Sequence, residues 1–137
     1  MDEKIKEKID ILLVDDEKEL VDAVKALLEE RGFTVKSAND GIRALEMVTE
    51  NPPDLILLDI TMPKMDGIAF LKKLKEQEKT RDIPVIMLTV KDGQADRDIG
   101  LEAGAYEYIS KPYDSIVLLR QVRNILEKTG KLKRRGV

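Results

Sequence analysis

Short apolar runs alternate with longer amphipathic stretches along the chain. The runs Ile9–Val14, Phe33–Ala38, Leu55–Leu58, Pro84–Thr89 and Tyr106–Ser110 predict five strands. The first, third and fourth are almost unbroken Ile, Leu, Val and Met, the pattern of strands buried on both faces. Between the runs, apolar residues recur at helical spacing: Leu20, Val24, Leu27 and Leu28, then Ile42, Leu45 and Val48, then Ile68, Leu71 and Leu74. Ile116, Leu119, Val122, Ile125 and Leu126 form the last stripe. Gly32 stands where a left-handed cap would end the first helix, and Pro52-Pro53 stop the second. A helix expected around Gln94 to Ala103 is the weak one. Its apolar residues are Ile99 and Leu101, and Gly100 costs about 1 kcal/mol relative to alanine inside a helix. Alternating strand and helix imply an α/β fold: a (βα)₅ doubly wound sandwich, with a parallel sheet, right-handed crossovers and helices on both faces.

Composition narrows the chemistry. With 137 residues the chain is sized for one domain, and 42% hydrophobic against 37% charged residues is a globular balance rather than a disordered one. No apolar run approaches the roughly 20 residues of a spanning helix, and the polar start Met1–Lys8 is no signal peptide, so a cytoplasmic protein is expected. The expected division is a polar extension over 1–8, a domain over 9–128 and a basic tail or linker stub over 129–137. The formal charge of −3 is unevenly placed. Lys128, Lys131, Lys133, Arg134 and Arg135 follow the last acid, and without them 19 basic residues face 27 acidic ones. A short tail without interleaved aromatics reads as a solvated terminus, not as a nucleic-acid surface. Cysteine and histidine are both absent, which removes disulfides, thiolate sites and the commonest general base. Metal chemistry must then use oxygen ligands, which favour hard ions such as Mg²⁺.

Polar residues cluster at the carboxyl ends of the expected strands: Asp15-Asp16 after the first, Asp59 after the third, Thr89 at the fourth and Lys111-Pro112 at the fifth. Ligands of open α/β sheets bind outside those ends. Each residue alone has an ordinary explanation, Asp15 or Asp16 as a helix N-cap and Asp59 as the start of a turn. Together, three carboxylates in one crevice repel unless a cation joins them or a proton neutralises one.

The chain resembles the receiver domains of two-component response regulators, of the chemotaxis-regulator type, over Ile9 to Lys128. The resemblance is carried by Ile11-Leu-Leu-Val-Asp-Asp-Glu17, Pro53-Asp-Leu-Ile-Leu-Leu-Asp-Ile-Thr-Met-Pro63 with Met65-Asp-Gly67, Pro84-Val-Ile-Met-Leu-Thr89 and Gly104-Ala-Tyr-Glu-Tyr-Ile-Ser-Lys-Pro112. It implies strand order 2-1-3-4-5 and a phosphorylation-controlled switch in which Asp59 accepts phosphate. It also implies a Mg²⁺ held directly by Asp16, Asp59 and the Thr61 carbonyl, with Asp15 acting largely through water. Lys111 would pair with Asp59 and then with the phosphate, Thr89 would hydrogen-bond a phosphate oxygen, and Tyr108 would be the aromatic switch residue. A sensor histidine kinase or phosphotransfer protein would donate the phosphate. An output protein or output domain would read the face of the fourth helix, fifth strand and fifth helix, through which a homodimer could also form. No membrane or direct nucleic-acid contact is implied.

Thr61, Val90 and Lys91 occupy positions that tune rates in the family, and Val90 is bulkier than the small residue usual there. Other classes fit less well. A receiver-like interaction module that is never phosphorylated would be expected to lack one of the acids, Thr89 or Lys111, and all are present. A haloacid-dehalogenase-type hydrolase would want an Asp where Thr61 stands. A flavodoxin-like cofactor binder would want more than 4% aromatic residues and a glycine-rich loop after the first strand. The chain is thus expected to transfer phosphate onto and off itself, not to be an enzyme acting on other substrates.

Overall fold

The structure, a computed structural model, describes residues 4–59, 66–90, 94–111 and 114–133; at 89–90, 94–97 and 111 only the backbone is described. The elements run β1 (Asp10–Val14), α1 (Lys18–Glu30), β2 (Thr34–Ala38), α2 (Gly41–Glu50) and β3 (Leu55–Asp59). They continue with α3 (Gly67–Glu76), β4 (Val85–Val90), α4 (Gln94–Glu102), β5 (Glu107–Lys111) and α5 (Ser115–Lys128). The strands form one sheet in the order β2-β1-β3-β4-β5, every pair parallel. This is the α/β architecture expected from the pattern.

The two faces of the sheet carry separate cores. Ile11 and Leu13 of β1 meet Val24 and Leu28 of α1 and Val122 and Leu126 of α5 on one face. Leu12 and Val14 meet Ala44 and Val48 of α2 and Phe70 and Leu74 of α3 on the other. Strand alternation sends successive residues to opposite faces, so the central strands are apolar on both faces up to their ends; β3 is buried at every position, Asp59 included.

Val24, Leu28, Val48, Leu71, Leu74, Val122, Ile125 and Leu126 are buried as the stripes expect, and the helix faces differ from the stripes chiefly near the first turns. In α2 the buried residues are Gly41, Ala44 and Val48, while Ile42 is exposed. In α5 they are Leu118, Val122, Ile125 and Leu126, with Ile116 64% exposed and Leu119 only half-buried. α1 buries Val21 rather than Leu20 or Leu27, and α3 adds Phe70 to Leu71 and Leu74 and leaves Ile68 half-buried. Gly32, at φ 97°, ends α1 as expected: its N–H donates to Glu29 O and that of Phe33 to Leu28 O, a Schellman closure.

Residues on both sides of the expected domain pack on it. The Ile5 N–H donates to Arg31 O at 2.9 Å, and the Ile5 side chain covers the α1/α5 core. Past α5, Leu132 is buried in the same core, and the Lys133 N–H donates to Glu7 Oε2 at 3.0 Å. Lys131 pairs with Asp54, whose Oδ2 accepts from the Asp10 N–H. The two flanks therefore meet at the amino ends of the strands. Lys131, Leu132 and Lys133 are thus each held to the body.

Candidate functional site

Register fixes which residues share the carboxyl rim of the sheet. Val14 pairs with Leu58, so Asp15 stands level with Asp59 on the neighbouring strand. Asp59 pairs with Leu88, placing Thr89 one rung further, beside Ser110, and Val90 beside Lys111. Parallel pairing with no offset between β1, β3, β4 and β5 thus brings four sequence segments to one end.

Asp15 and Asp59 are both buried, at 1% and 4% exposure, and that burial sets them apart from the exposed acids of the helices. Asp59 lies within β3, as its last residue, where the sequence pattern had ended the strand at Leu58. Carboxylate oxygens of Asp15, Glu17 and Asp59 lie within 4.8 Å of one another. Asp15 Oδ1 also accepts the Glu17 N–H at 3.0 Å, a local turn that fixes the β1–α1 connection. Asp16 is exposed and is not in this group. Glu17 is the residue that sequence reasoning passed over. It occupies the N-cap of α1, yet its side chain makes no capping hydrogen bond, whereas Asp40, Asp66 and Asp114 each cap their helices. A glutamate where serine or aspartate is preferred was the available signal.

Three converging carboxylates form an all-oxygen donor set suited to a hard divalent cation. Thr61 and Lys91 lie outside the described residues, as do the side chains of Thr89, Val90 and Lys111. Tyr108 is half-buried on β5, packed on the α2/α3 core.

Two buried aspartates side by side at the carboxyl rim of a 2-1-3-4-5 parallel sheet are the arrangement of a receiver architecture. The chain belongs to the response regulator receiver domain family, whose model matches residues 11–123. It is 45% identical to the transcriptional regulatory protein CpxR of Escherichia coli (strain K12), over 87% of this chain and 50% of that protein. It is 44% identical to the response regulator PleD of Caulobacter vibrioides, over 84% of this chain and 25% of that protein. The structure of chemotaxis protein CheY4 of Vibrio cholerae superposes with a TM-score of 0.82 at 29% identity, covering 87% of this chain and 99% of that one. The chain therefore spans a quarter to a half of the length of these curated relatives, and its family is that of the receiver domains of phosphorylation-controlled signalling.

Proposed function

We propose that the chain receives a phosphoryl group on Asp59 from a partner histidine kinase, a phosphotransfer protein or a small phosphodonor. The observation that carries this reading is the pair of buried carboxylates, Asp15 and Asp59, level with each other at the carboxyl rim. An ionised Asp59 oxygen attacks phosphorus. The new O–P bond forms as the P–N bond to the donor imidazole breaks, and the electron pair leaves with the imidazole. A carboxylate nucleophile needs no base, which suits a chain without histidine. Hydrolysis of the acyl phosphate by water resets the switch.

Asp15, Asp16, Asp59 and the Thr61 carbonyl are assigned to the Mg²⁺ site, with Glu17 beside them. When bound, the ion would neutralise charge that otherwise repels the donor phosphate. Lys111 and Thr89 are assigned to the phosphate oxygens and Tyr108 to the switch, with Thr61, Val90 and Lys91 tuning rates. The output surface is the α4-β5-α5 face, where Ile99, Leu101, Tyr106, Ile116 and Val117 are exposed. A homodimer or an output domain would use it, in the cytoplasm. Among the described residues no helix is long and apolar enough to cross a membrane.

The test is labelling with acetyl phosphate, with and without Mg²⁺, read by intact mass. Wild type is expected to gain one acid-stable, hydroxylamine-labile phosphate only with Mg²⁺, and Asp59→Asn none. Undiminished labelling of Asp59→Asn, or none of wild type, would overturn the assignment.

A further inference from the structure

We propose that Gly100 is the seat on which α4 rests against Met87, and that this contact couples the helix to Tyr108. The inference builds on the phosphorylation switch proposed above and adds the residue through which that switch would reach α4.

Over its described side chains, α4 is attached unlike α1 and α5. Asp98, Ile99, Leu101 and Glu102 are all exposed, and among its described side-chain positions only Gly100 is buried. α1 and α5, by contrast, bury branched aliphatic side chains along their length. Directly beneath Gly100 lies Met87 of β4, itself completely buried. A Cβ added at position 100 would fall far inside contact distance of Met87 Sδ and Cε, while Ile68 Cδ1 would be an ordinary neighbour at 3.7 Å. Glycine weakens a helix interior relative to alanine. Here its bare backbone is what permits the close approach.

Met87 is also joined to the switch elements. It pairs across the ladder with Tyr108, which packs on the cluster that contains Met87. Thr89 lies two residues further along the same strand. The contacts therefore run without a gap from α4 backbone to Met87 to the strand position of Tyr108.

The carboxyl end of α4 is pinned. The Gly104 N–H donates to Leu101 O and that of Ala105 to Gly100 O, with Gly104 at φ 114°. Ala105 is buried, and the Tyr106 N–H donates to Val85 O. Gly104 also lies against the Lys75 stem, whose Nζ donates to Arg81 O at 2.8 Å. The amino end of α4 follows the carboxyl end of β4, where the acidic site lies. A helix fixed at one end, resting midway on an unbranched and adaptable thioether, can rock about the fixed end. Movement at Tyr108 or Met87 then tilts α4 without expelling any of its described large side chains from the core.

Amide exchange of residues 94–106 and the ring resonances of Tyr108 test this in the full chain. Measurements are made with and without Mg²⁺ and beryllium fluoride, a mimic of the phosphoryl group. Gly100→Ala, without the mimic, is expected to speed exchange in α4 by roughly tenfold. It is also expected to shift the Tyr108 ring. Adding Met87→Ala to Gly100→Ala makes room for the new methyl group and is expected to restore both signals toward wild type. Slower exchange in Gly100→Ala would mean that helix propensity alone acts there, and an unmoved Tyr108 would remove the coupling; either overturns the proposal. If Gly100→Ala does not fold, recovery of folding in the double variant supports the seat, and failure to recover overturns it. A wild type insensitive to beryllium fluoride would sink the switch reading, whereas the Met87→Ala rescue judges the seat by itself.

Discussion

At the amino ends of α2, α3 and α5 an aspartate side chain accepts a backbone N–H of the first turn: Asp40 from Arg43, Asp66 from Ala69 and Asp114 from Ile116. Glu17 holds the same position on α1, and its carboxylate converges with Asp15 and Asp59 instead. α1 thus forgoes a cap of about 0.5–2 kcal/mol. Glu17→Ser is expected to restore that cap and raise metal-free stability by roughly that amount. The same change should reduce the further stabilisation given by millimolar Mg²⁺, because one charge has left the site. Urea unfolding in chelator and then in Mg²⁺ separates the two effects. Equal stability in chelator would show that the first turn of α1 is satisfied some other way. Asp15 and Asp59 were legible in the sequence because an acid ending an apolar run is conspicuous. Glu17 was not, because a third acid after two others looks like ordinary helix-start charge until the cap geometry is known.

Strands were read from sequence to within about a residue, since β1, β3 and β4 are bounded runs of apolar residues. Helix faces were harder to phase. Large aliphatic residues at Ile42 and Ile116 drew the stripe toward the first turn, where a helix overhangs the sheet and little covers it. Small residues such as Gly41 and Ala44 lie inward because α2 packs close to the sheet, and smallness carries no hydrophobic signal. The difference at the first turn has a direct consequence in α5, whose stripe is otherwise buried at Val122, Ile125 and Leu126 as expected. Ile116→Lys is expected to change stability by less than about 0.5 kcal/mol, while Leu118→Ala, two residues on, costs about 2–5 kcal/mol. Chemical denaturation of the two variants decides between the faces. A large loss for Ile116→Lys with little loss for Leu118→Ala would put Ile116, not Leu118, on the core face.

Over the whole molecule, the sheet, its order and its chemical end follow from alternation and from a family resemblance spread over four segments. The union of the two flanks does not. Neither Lys4–Lys8 nor Thr129–Lys133 has enough apolar residues to announce packing, and only the fold brings Ile5 and Leu132 to the same core. The contact carries a pH signature. The Lys133 N–H, with smaller help from nearby backbone groups, holds the Glu7 carboxyl below its ordinary value of 4.5. A carboxyl depressed in the folded state adds stability that is present above that ordinary value and is lost as pH falls through the lower, folded one. Glu7→Gln should therefore be less stable than wild type near neutrality, with the difference closing on acidification. Melting curves of both chains from about pH 3 to 6 check this. A gap that persists at the acid end would assign the effect to packing instead of charge.

Because Glu7 and Lys133 touch, the order of the chain is nearly a closed ring, and where the ring is cut becomes a matter of choice. A short run of glycines joining Lys133 to Lys4, with new ends opened between the exposed Asn51 and Pro52, should leave every strand pairing intact. Such a circular permutant is expected to keep its far-ultraviolet circular dichroism and to label on Asp59 as the parent does. Loss of folding would show that continuity from α2 into β3 matters more than the meeting of the flanks. Success would make the receiver a ring-like part that other proteins could host through either of two openings, both at the end of the sheet opposite its acidic rim.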